Sequence, residues 1–228
     1  MRSLLLLNGS PRGERSNSMK MLAHLAEGWK RGGGSAPEVL HLARQTSFNR
    51  AVEAFAQADV VLLGMPLYTD SMPALVKAYI EALSPRVTAT PAGGANPALA
   101  FLVQSGFPEA LHSRPLERYL KKLALRLGSP YAGTIVRGGG ESLQAMPNEA
   151  NKKLWAQLRT LGEQLAREGR FSEVELRAIA GIERFSALTA TVVGLAFKLP
   201  IAQFYWNMQL KKNGAWERRF AAPYGPAA

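Results

Sequence analysis

The chain contains 228 residues, 47% of them hydrophobic, enough to bury the core of one large domain or of a domain with an extension. It has no cysteine, which excludes disulfides, thiolate nucleophiles and cysteine-ligated metal centres, and its three histidines are too far apart to predict a metal site. The formal net charge is +11, but the basic residues are spread along the chain, so we expect a basic surface and no nucleic-acid partner. A module that binds nucleic acid or an anionic membrane surface is the less favoured alternative.

Neither of the most apolar runs resembles a membrane or export segment. The leucines at 4–7 form a run too short for a signal sequence. The run at 187–199 has 13 residues, includes Lys198 and stops at Pro200, whereas a spanning helix needs about 20. We therefore expect no integral membrane segment and a cytoplasmic location.

Buried-strand patterns alternate with amphipathic helix patterns through the first three quarters of the chain. In chain order they predict strand 3–8, helix 17–30, strand 38–42, helix 48–57, strand 59–64, helix 73–83, a loop at 84–97, strand 98–104, helix 115–127, strand 132–137 and helix 148–168. Five strands alternating with five helices indicate an α/β fold, a parallel sheet wound on both faces.

Residues 171–228 fall outside this alternation. They contain helix candidates at 173–185 and 187–199 and an end rich in aromatic residues. We therefore predict a domain at 1–170 and, at 171–228, a mostly helical extension. So many large apolar groups indicate that the extension packs on the domain or on a partner subunit.

In a doubly wound sheet, ligands bind beyond the carboxyl ends of the strands, and the first such loop is rich in hydrogen-bond donors. Residues 8–18 read Asn-Gly-Ser-Pro-Arg-Gly-Glu-Arg-Ser-Asn-Ser, which is neither a Walker loop nor a Rossmann fingerprint. Serines, an arginine and free amides at a helix start suit a phosphate monoester. The alternative is an ordinary helix cap at Ser16, Asn17 or Ser18.

The loop after the third strand carries a second group of suggestive residues. Residues 65–73 read Met-Pro-Leu-Tyr-Thr-Asp-Ser-Met-Pro. Such a loop can offer backbone amides and an aromatic edge to a flat ring. The alternative interpretation of this segment is a turn with a buried tyrosine.

Together, the two loops resemble those of the flavodoxin-like NAD(P)H-dependent FMN reductase and quinone reductase families. The resemblance covers residues 1 to about 168 and rests on Gly9-Ser10-Pro11-Arg12 with Ser16-Asn17-Ser18, and on Pro66-Leu67-Tyr68 with Met72-Pro73 and Leu75-x-Lys77. It implies a flavodoxin-like doubly wound five-stranded sheet of strand order 2-1-3-4-5.

The resemblance also implies FMN as cofactor and NAD(P)H as co-substrate. The implied phosphate ligands are Ser10, Arg12, Ser16, Asn17 and Ser18. The residues implied to border the ribityl chain and the ring are Pro66, Leu67, Tyr68 and Thr69, with Ser105, Gly106 and Phe107 after the fourth strand. We expect backbone amides of 67–69 and 106–107 to face the ring, and no catalytic side chain, because the cofactor carries the chemistry.

The function implied is an NAD(P)H oxidoreductase that passes hydride through FMN to a small-molecule acceptor: a quinone, a nitro or azo compound, or free flavin. Such enzymes commonly form homodimers or homotetramers. The alternative is a flavodoxin-like electron carrier without its own NAD(P)H reaction. The basic charge and the extension both depart from plain flavodoxins, and the choice between NADH and NADPH stays open.

Overall fold

The computed structural model describes residues 1–88, 96–141, 143, 146, 148–196, 198 and 203–222. The chain forms two compact units, Met1–Arg184 and Phe185–Ala228. Among the described residues, no helix is both long enough and apolar enough to cross a bilayer.

The first unit is built on a five-stranded sheet in which every strand pairs in parallel with its neighbours. Its strands are β1 (Leu4–Asn8), β2 (Glu38–His41), β3 (Val60–Pro66), β4 (Ala98–Gln104) and β5 (Tyr131–Arg137). The spatial order is β2-β1-β3-β4-β5, which confirms the predicted fold class and strand order. The register pairs Pro66 with Gln104 and Gln104 with Arg137, so the carboxyl ends of three strands meet at one edge.

Helices cover both faces of this sheet, and further helices follow toward the C-terminus, as predicted. They are α1 (Asn17–Arg31), α2 (Gln45–Ala54), α3 (Ala74–Thr88), α4 (Arg114–Arg126), α5 (Lys152–Glu168), α6 (Glu173–Ala180), and, in the second unit, α7 (Ala187–Ala196) and α8 (Phe204–Lys212). Alternate residues of a strand point to opposite faces. Leu4 and Leu6 therefore join the core under α1 and α5, whereas Leu5 and Leu7 join the core under α2, α3 and α4.

Two helix ends differ from the predicted ones by five residues each, more than any other. The loop predicted at 84–97 was wrong at its start, because α3 continues to Thr88; residues 89–95 lie outside the described residues. The helix predicted at 173–185 ends at Ala180, where Gly181 adopts a φ of 79°, which ends the helical path.

The close packing of α1 on α5 depends on a glycine from each helix. A Cβ atom at Gly28 would overlap the carbonyl oxygen of Arg159, and one at Gly162 would overlap that of Leu25. The two backbones are therefore too close to admit a methyl group at either position, and a larger residue must push the helices apart.

We predict that Gly28→Ala lowers the free energy of unfolding by about 1–3 kcal/mol, because the added methyl group overpacks the helix contact. Urea denaturation followed by fluorescence of the buried Trp29 measures this. Gly194→Ala in α7 is the matched control, since nothing lies within 4 Å of a Cβ there. Equal stability of the Gly28→Ala and Gly194→Ala variants would contradict the contact.

Candidate functional site

A cleft of about 60 Å³ opens at the carboxyl ends of β1, β3 and β4. In this sheet β2 lies on one side of β1 and β3 on the other, and the cleft lies where the strand order changes direction. Ligands usually bind at this position in doubly wound sheets. Its lining residues are Ser10, Arg12, Ser16, Asn17, Pro66, Leu67, Tyr68, Gln104, Ser105, Gly106 and Glu141. Pockets that bury a whole drug-sized ligand measure roughly 300–1,000 Å³, so this cleft can enclose one end of a cofactor.

The volume of a cleft alone does not identify the functional site. A cleft of about 410 Å³ lies beside the amino end of β5 and the start of α6, lined by Tyr131, Phe171 and Glu173 among others. It is at the opposite end of the sheet from the carboxyl edge, where neither predicted loop reaches. We therefore place the candidate site at the smaller cleft.

The loop after β1 is shaped by the buried side chain of Asn8. Its Nδ2 donates to the carbonyl oxygen of Gly13 at 2.7 Å, and its Oδ1 accepts from the amide of Ser10 at 3.1 Å. Gly13 has a φ of 57°, which a residue with a side chain rarely adopts. Asn8 thus folds the loop back on itself, a role that the sequence interpretation missed although a polar residue ends an otherwise apolar strand.

Ser16 caps α1 and leaves the next two amides unused. Its Oγ accepts from the amide of Met19 at 3.1 Å and donates to the Gly13 carbonyl at 2.7 Å. Within the described part of the chain, the amides of Asn17 and Ser18 donate to no acceptor. The cap therefore leaves two unpaired amides at the helix start, a feature that attracts anions.

Asn17 connects α1 to the loop after β5 and carries an unsatisfied acceptor. The side chain is almost fully buried, and its Nδ2 donates to the carbonyl oxygen of Gly140 at 2.7 Å. Its Oδ1 is buried and has no partner among the described residues. A buried acceptor without a donor is unfavourable by about 1–3 kcal/mol, so a ligand hydroxyl beside Oδ1 would relieve it.

The charged groups of the cleft are Arg12 and Glu141, which partly neutralise each other. Arg12 Nη1 lies 3.9 Å from Glu141 Oε1, and both side chains are about half exposed. Glu141 was missed from the sequence, where nothing marks it. Its carboxylate opposes an anion in the cleft, so a bound phosphate would need Arg12 to turn away from Glu141 toward it.

Gln104, also missed, links the first loop to the second at the bottom of the cleft. Its backbone carbonyl accepts from the amide of Leu67 at 2.8 Å, and its side-chain Nε2 lies 3.5 Å from the hydroxyl of Ser18. Ser18 is fully buried and does not line the cleft. The polar end of an apolar strand was the available signal for Gln104.

The second loop forms a tight turn rather than an open row of amides. Tyr68 and Ser71 exchange two backbone hydrogen bonds of 2.9 and 3.0 Å, and Thr69 and Asp70 both adopt left-handed φ values, 48° and 60°. The expectation that amides of 67–69 face a ring is corrected, because those of Leu67 and Tyr68 are used inside the protein. Thr69 itself does not line the cleft, whereas Tyr68 does and is 42% exposed.

The loops after β4 and β5 are joined by backbone hydrogen bonds. Gly140 donates to Ser105 and Gly139 to Phe107, each at 2.7 Å. The amides of Gly106 and Phe107 donate to no acceptor among the described residues. Gly106 lines the cleft, but the exposed Phe107 ring packs on His112 at 4.5 Å and lies outside it.

Nine of the twelve predicted site residues thus line one cleft, and Ser18, Thr69 and Phe107 do not. No group of three or more potential metal ligands occurs in the described ranges. The arrangement places unpaired hydrogen-bond donors beside the exposed ring of Tyr68.

His41 supports the first loop from β2. Its Nδ1 lies 3.1 Å from Asn8 Nδ2, a contact that requires an unprotonated Nδ1. Burial lowers the pKa of His41 below its usual 6.5, and this outweighs the rise caused by Glu14, whose carboxylate is itself bound to Arg44 at 2.9 Å. Neutral His41 is thus the form that holds Asn8.

Comparisons with known proteins agree with this fold. A family model described as flavodoxin-like fold matches residues 2–165. No curated protein sequence matches the chain. Similar solved structures include an apo NADH:FMN oxidoreductase, with a TM-score of 0.56 and 19% identity over 82% of this chain and 97% of that one. An FMN-dependent NADH-azoreductase from Bacillus anthracis in complex with FMN has a TM-score of 0.56 and 16% identity over 73% and 100%.

A third similar structure is an NAD(P)H:quinone oxidoreductase from Methanothermobacter marburgensis. Its TM-score is 0.55 and its identity 17%, over 72% of this chain and 96% of that one. At such identities these likenesses establish the fold of the chain, and the activities belong to the proteins so described.

We predict that acid weakens the fold through His41. Unfolded His41 titrates near 6.5 and folded His41 lower, so between these values the unfolded state binds more protons. The unfolding free energy should therefore fall as the pH drops below about 7 and level off beneath the folded pKa, and His41→Gln should lack this component. An NMR titration of the His41 ring gives the folded midpoint, and a value at or above 6.5 would contradict the prediction.

Proposed function

The chain belongs to the flavodoxin-like fold family, and we propose that it is an FMN-dependent NAD(P)H oxidoreductase whose acceptor is a quinone, a nitro or azo compound, or free flavin. The observation that carries the proposal is the cleft at the strand ends, where free helix amides and Arg12 meet beside Tyr68. The solved structures described as FMN-dependent or FMN-reducing enzymes support it through their shared fold. A homo-oligomeric state and a cytoplasmic location stay predictions.

The residues present fit the phosphate end of FMN. The amide of Asn17, which lines the cleft, is an unused donor at the positive end of the α1 dipole. Arg12 can add a charge-assisted hydrogen bond once it leaves Glu141. Ser10 lines the same cleft, and its hydroxyl accepts from the amide of Arg12 at 3.3 Å, which leaves the hydroxyl proton free to donate.

The rest of the site fits a polyol chain and a flat ring. The orphaned Oδ1 of Asn17 is an acceptor for a ribityl hydroxyl, and Gln104 lines the same cleft. The exposed Tyr68 can cover a ring edge, and the free amides of Gly106 and Phe107 can donate to ring heteroatoms.

FMN, when bound, supplies the hydride and electron transfer. The chain's own contribution is to bind the phosphate, to orient the ring against the loop after β4 and to place donors where negative charge develops. No side chain is required as nucleophile, acid or base, so we assign no catalytic residue.

The deciding experiment is an anaerobic absorption titration of the FMN-loaded protein with NADPH and then NADH. We expect prompt loss of the flavin band near ~450 nm with at least one of them, because the ring edge at Tyr68 is open to a nicotinamide. If neither nucleotide reduces the bound flavin, the chain is an electron carrier without its own NAD(P)H reaction. A protein that binds no FMN would overturn both.

We predict that Arg12→Ala weakens FMN binding by about fivefold, or ~1 kcal/mol, because the guanidinium is about half exposed and its charge is screened by water. Fluorescence quenching of FMN measures the dissociation constant. Arg126→Ala is the matched control, since Arg126 is an exposed arginine in the last turn of α4, beyond the other end of the sheet. If the Arg12→Ala and Arg126→Ala proteins bind FMN equally well, Arg12 is not a phosphate ligand.

A further inference from the structure

Helix α7 is apolar and has no charged residue on any of its faces. None of its residues is buried: Leu188 is 75% exposed, and Val192 and Leu195 are 56% exposed each. Between residues 187 and 210 the sequence has a single charged residue, Lys198. A helix without a polar face is normally surrounded by protein or lipid, so this one indicates an interaction surface.

The polar groups of α7 are satisfied locally, as surroundings without water require. The hydroxyl of Thr191 donates to the carbonyl oxygen of Ala187 at 2.9 Å. The amide of Thr189 donates to Ser186 Oγ at 3.1 Å, and the two hydroxyls of Ser186 and Thr189 lie 2.8 Å apart. These side chains would therefore add little penalty on transfer from water to an apolar medium.

A basic and aromatic cluster follows α8. The guanidinium of Arg219 lies 4.0 Å from the ring centroid of Trp216 and 4.8 Å from that of Phe220, and Lys211 Nζ lies 5.1 Å from the Trp216 centroid. Phe220 itself is 86% exposed. Tryptophan with long basic side chains is the combination that proteins place at the boundary between lipid headgroups and acyl chains.

The charge of this part of the chain is one-sided. We call residues 185–222 the C-terminal segment; it has five basic residues and one acidic residue, Glu217, a net charge of +4. The basic residues are Lys198, Lys211, Lys212, Arg218 and Arg219. Such a charge is complementary to an anionic surface and opposes the approach of a second copy of the same segment.

We propose that the C-terminal segment binds the surface of a lipid bilayer that contains anionic headgroups. Helix α7, with ten residues, is too short to span a bilayer and inserts into one leaflet, while the cluster around Trp216 contacts the headgroups. Lipid can contact α7 on all sides, whereas a second copy would cover one face and leave the others in water. The inference does not rest on the proposed redox function.

The test is sedimentation of the full chain with vesicles of phosphatidylcholine containing about 30% phosphatidylglycerol, compared with pure phosphatidylcholine. We expect binding to the anionic vesicles at about 0.1 M salt and clearly weaker binding at about 0.5 M. Trp206 and Trp216 report contact directly, because brominated lipids should quench them and leave the buried Trp29 and Trp155 unaffected.

Two variants separate the charge from the apolar surface. Replacing Arg218 and Arg219 by glutamine should weaken binding about 25-fold, at roughly fivefold per basic residue near the surface. The matched control replaces Lys121 and Lys122, two exposed lysines of α4, by glutamine and should change binding less than about twofold. Leu188→Gln with Leu195→Gln should abolish the quenching, and circular dichroism checks that each variant is folded.

Three results would overturn the proposal. Equal loss of binding in the α4 control would mean that the total charge of the chain, rather than this segment, adsorbs to vesicles. A self-association that Leu188→Gln with Leu195→Gln abolishes, without vesicle binding, would assign the surface to a second copy. A protein that neither sediments with the vesicles nor self-associates would remove the membrane assignment as well.

Discussion

The site depends on the two hydrogen bonds that the buried Asn8 side chain makes to the loop after β1. By binding the carbonyl of Gly13 and the amide of Ser10, it fixes the loop in a tight turn. That turn brings Ser16 to the start of α1, where Ser16 caps the third amide and leaves the first two free. The order β2-β1-β3-β4-β5 then brings the other loops to the same edge.

The electrostatics of the cleft are balanced rather than simply positive. Arg12 faces Glu141 across it, and the α1 dipole adds partial positive charge from below. An anion must therefore compete with Glu141 for Arg12, whereas the amide of Asn17 has no acceptor among the described residues. Because this donor belongs to the backbone, it keeps its position whichever way the two exposed side chains turn.

The sheet could be predicted from the sequence because its strands are continuous apolar runs, and its order came from the family resemblance. The glycine and serine residues of the first loop likewise predicted its turns. Other features leave no local trace in the sequence: the side-chain contact of Arg12 with Glu141, and the left-handed pair Thr69 and Asp70. Thr69 and Asp70 lack the conformational freedom of glycine, so the sequence did not predict a left-handed turn at these positions.

The most direct test of the account compares the binding of FMN and riboflavin to the unmodified chain. The two ligands share the ring and the ribityl chain and differ only in the phosphate, which is the group that the amide of Asn17, Ser10 and Arg12 are proposed to hold. We expect FMN to bind at least about 30-fold more tightly, because a near-dianion gains several charge-assisted hydrogen bonds. Equal affinity for the two, or no binding of either, would mean that the loop after β1 is a helix cap and not a phosphate site.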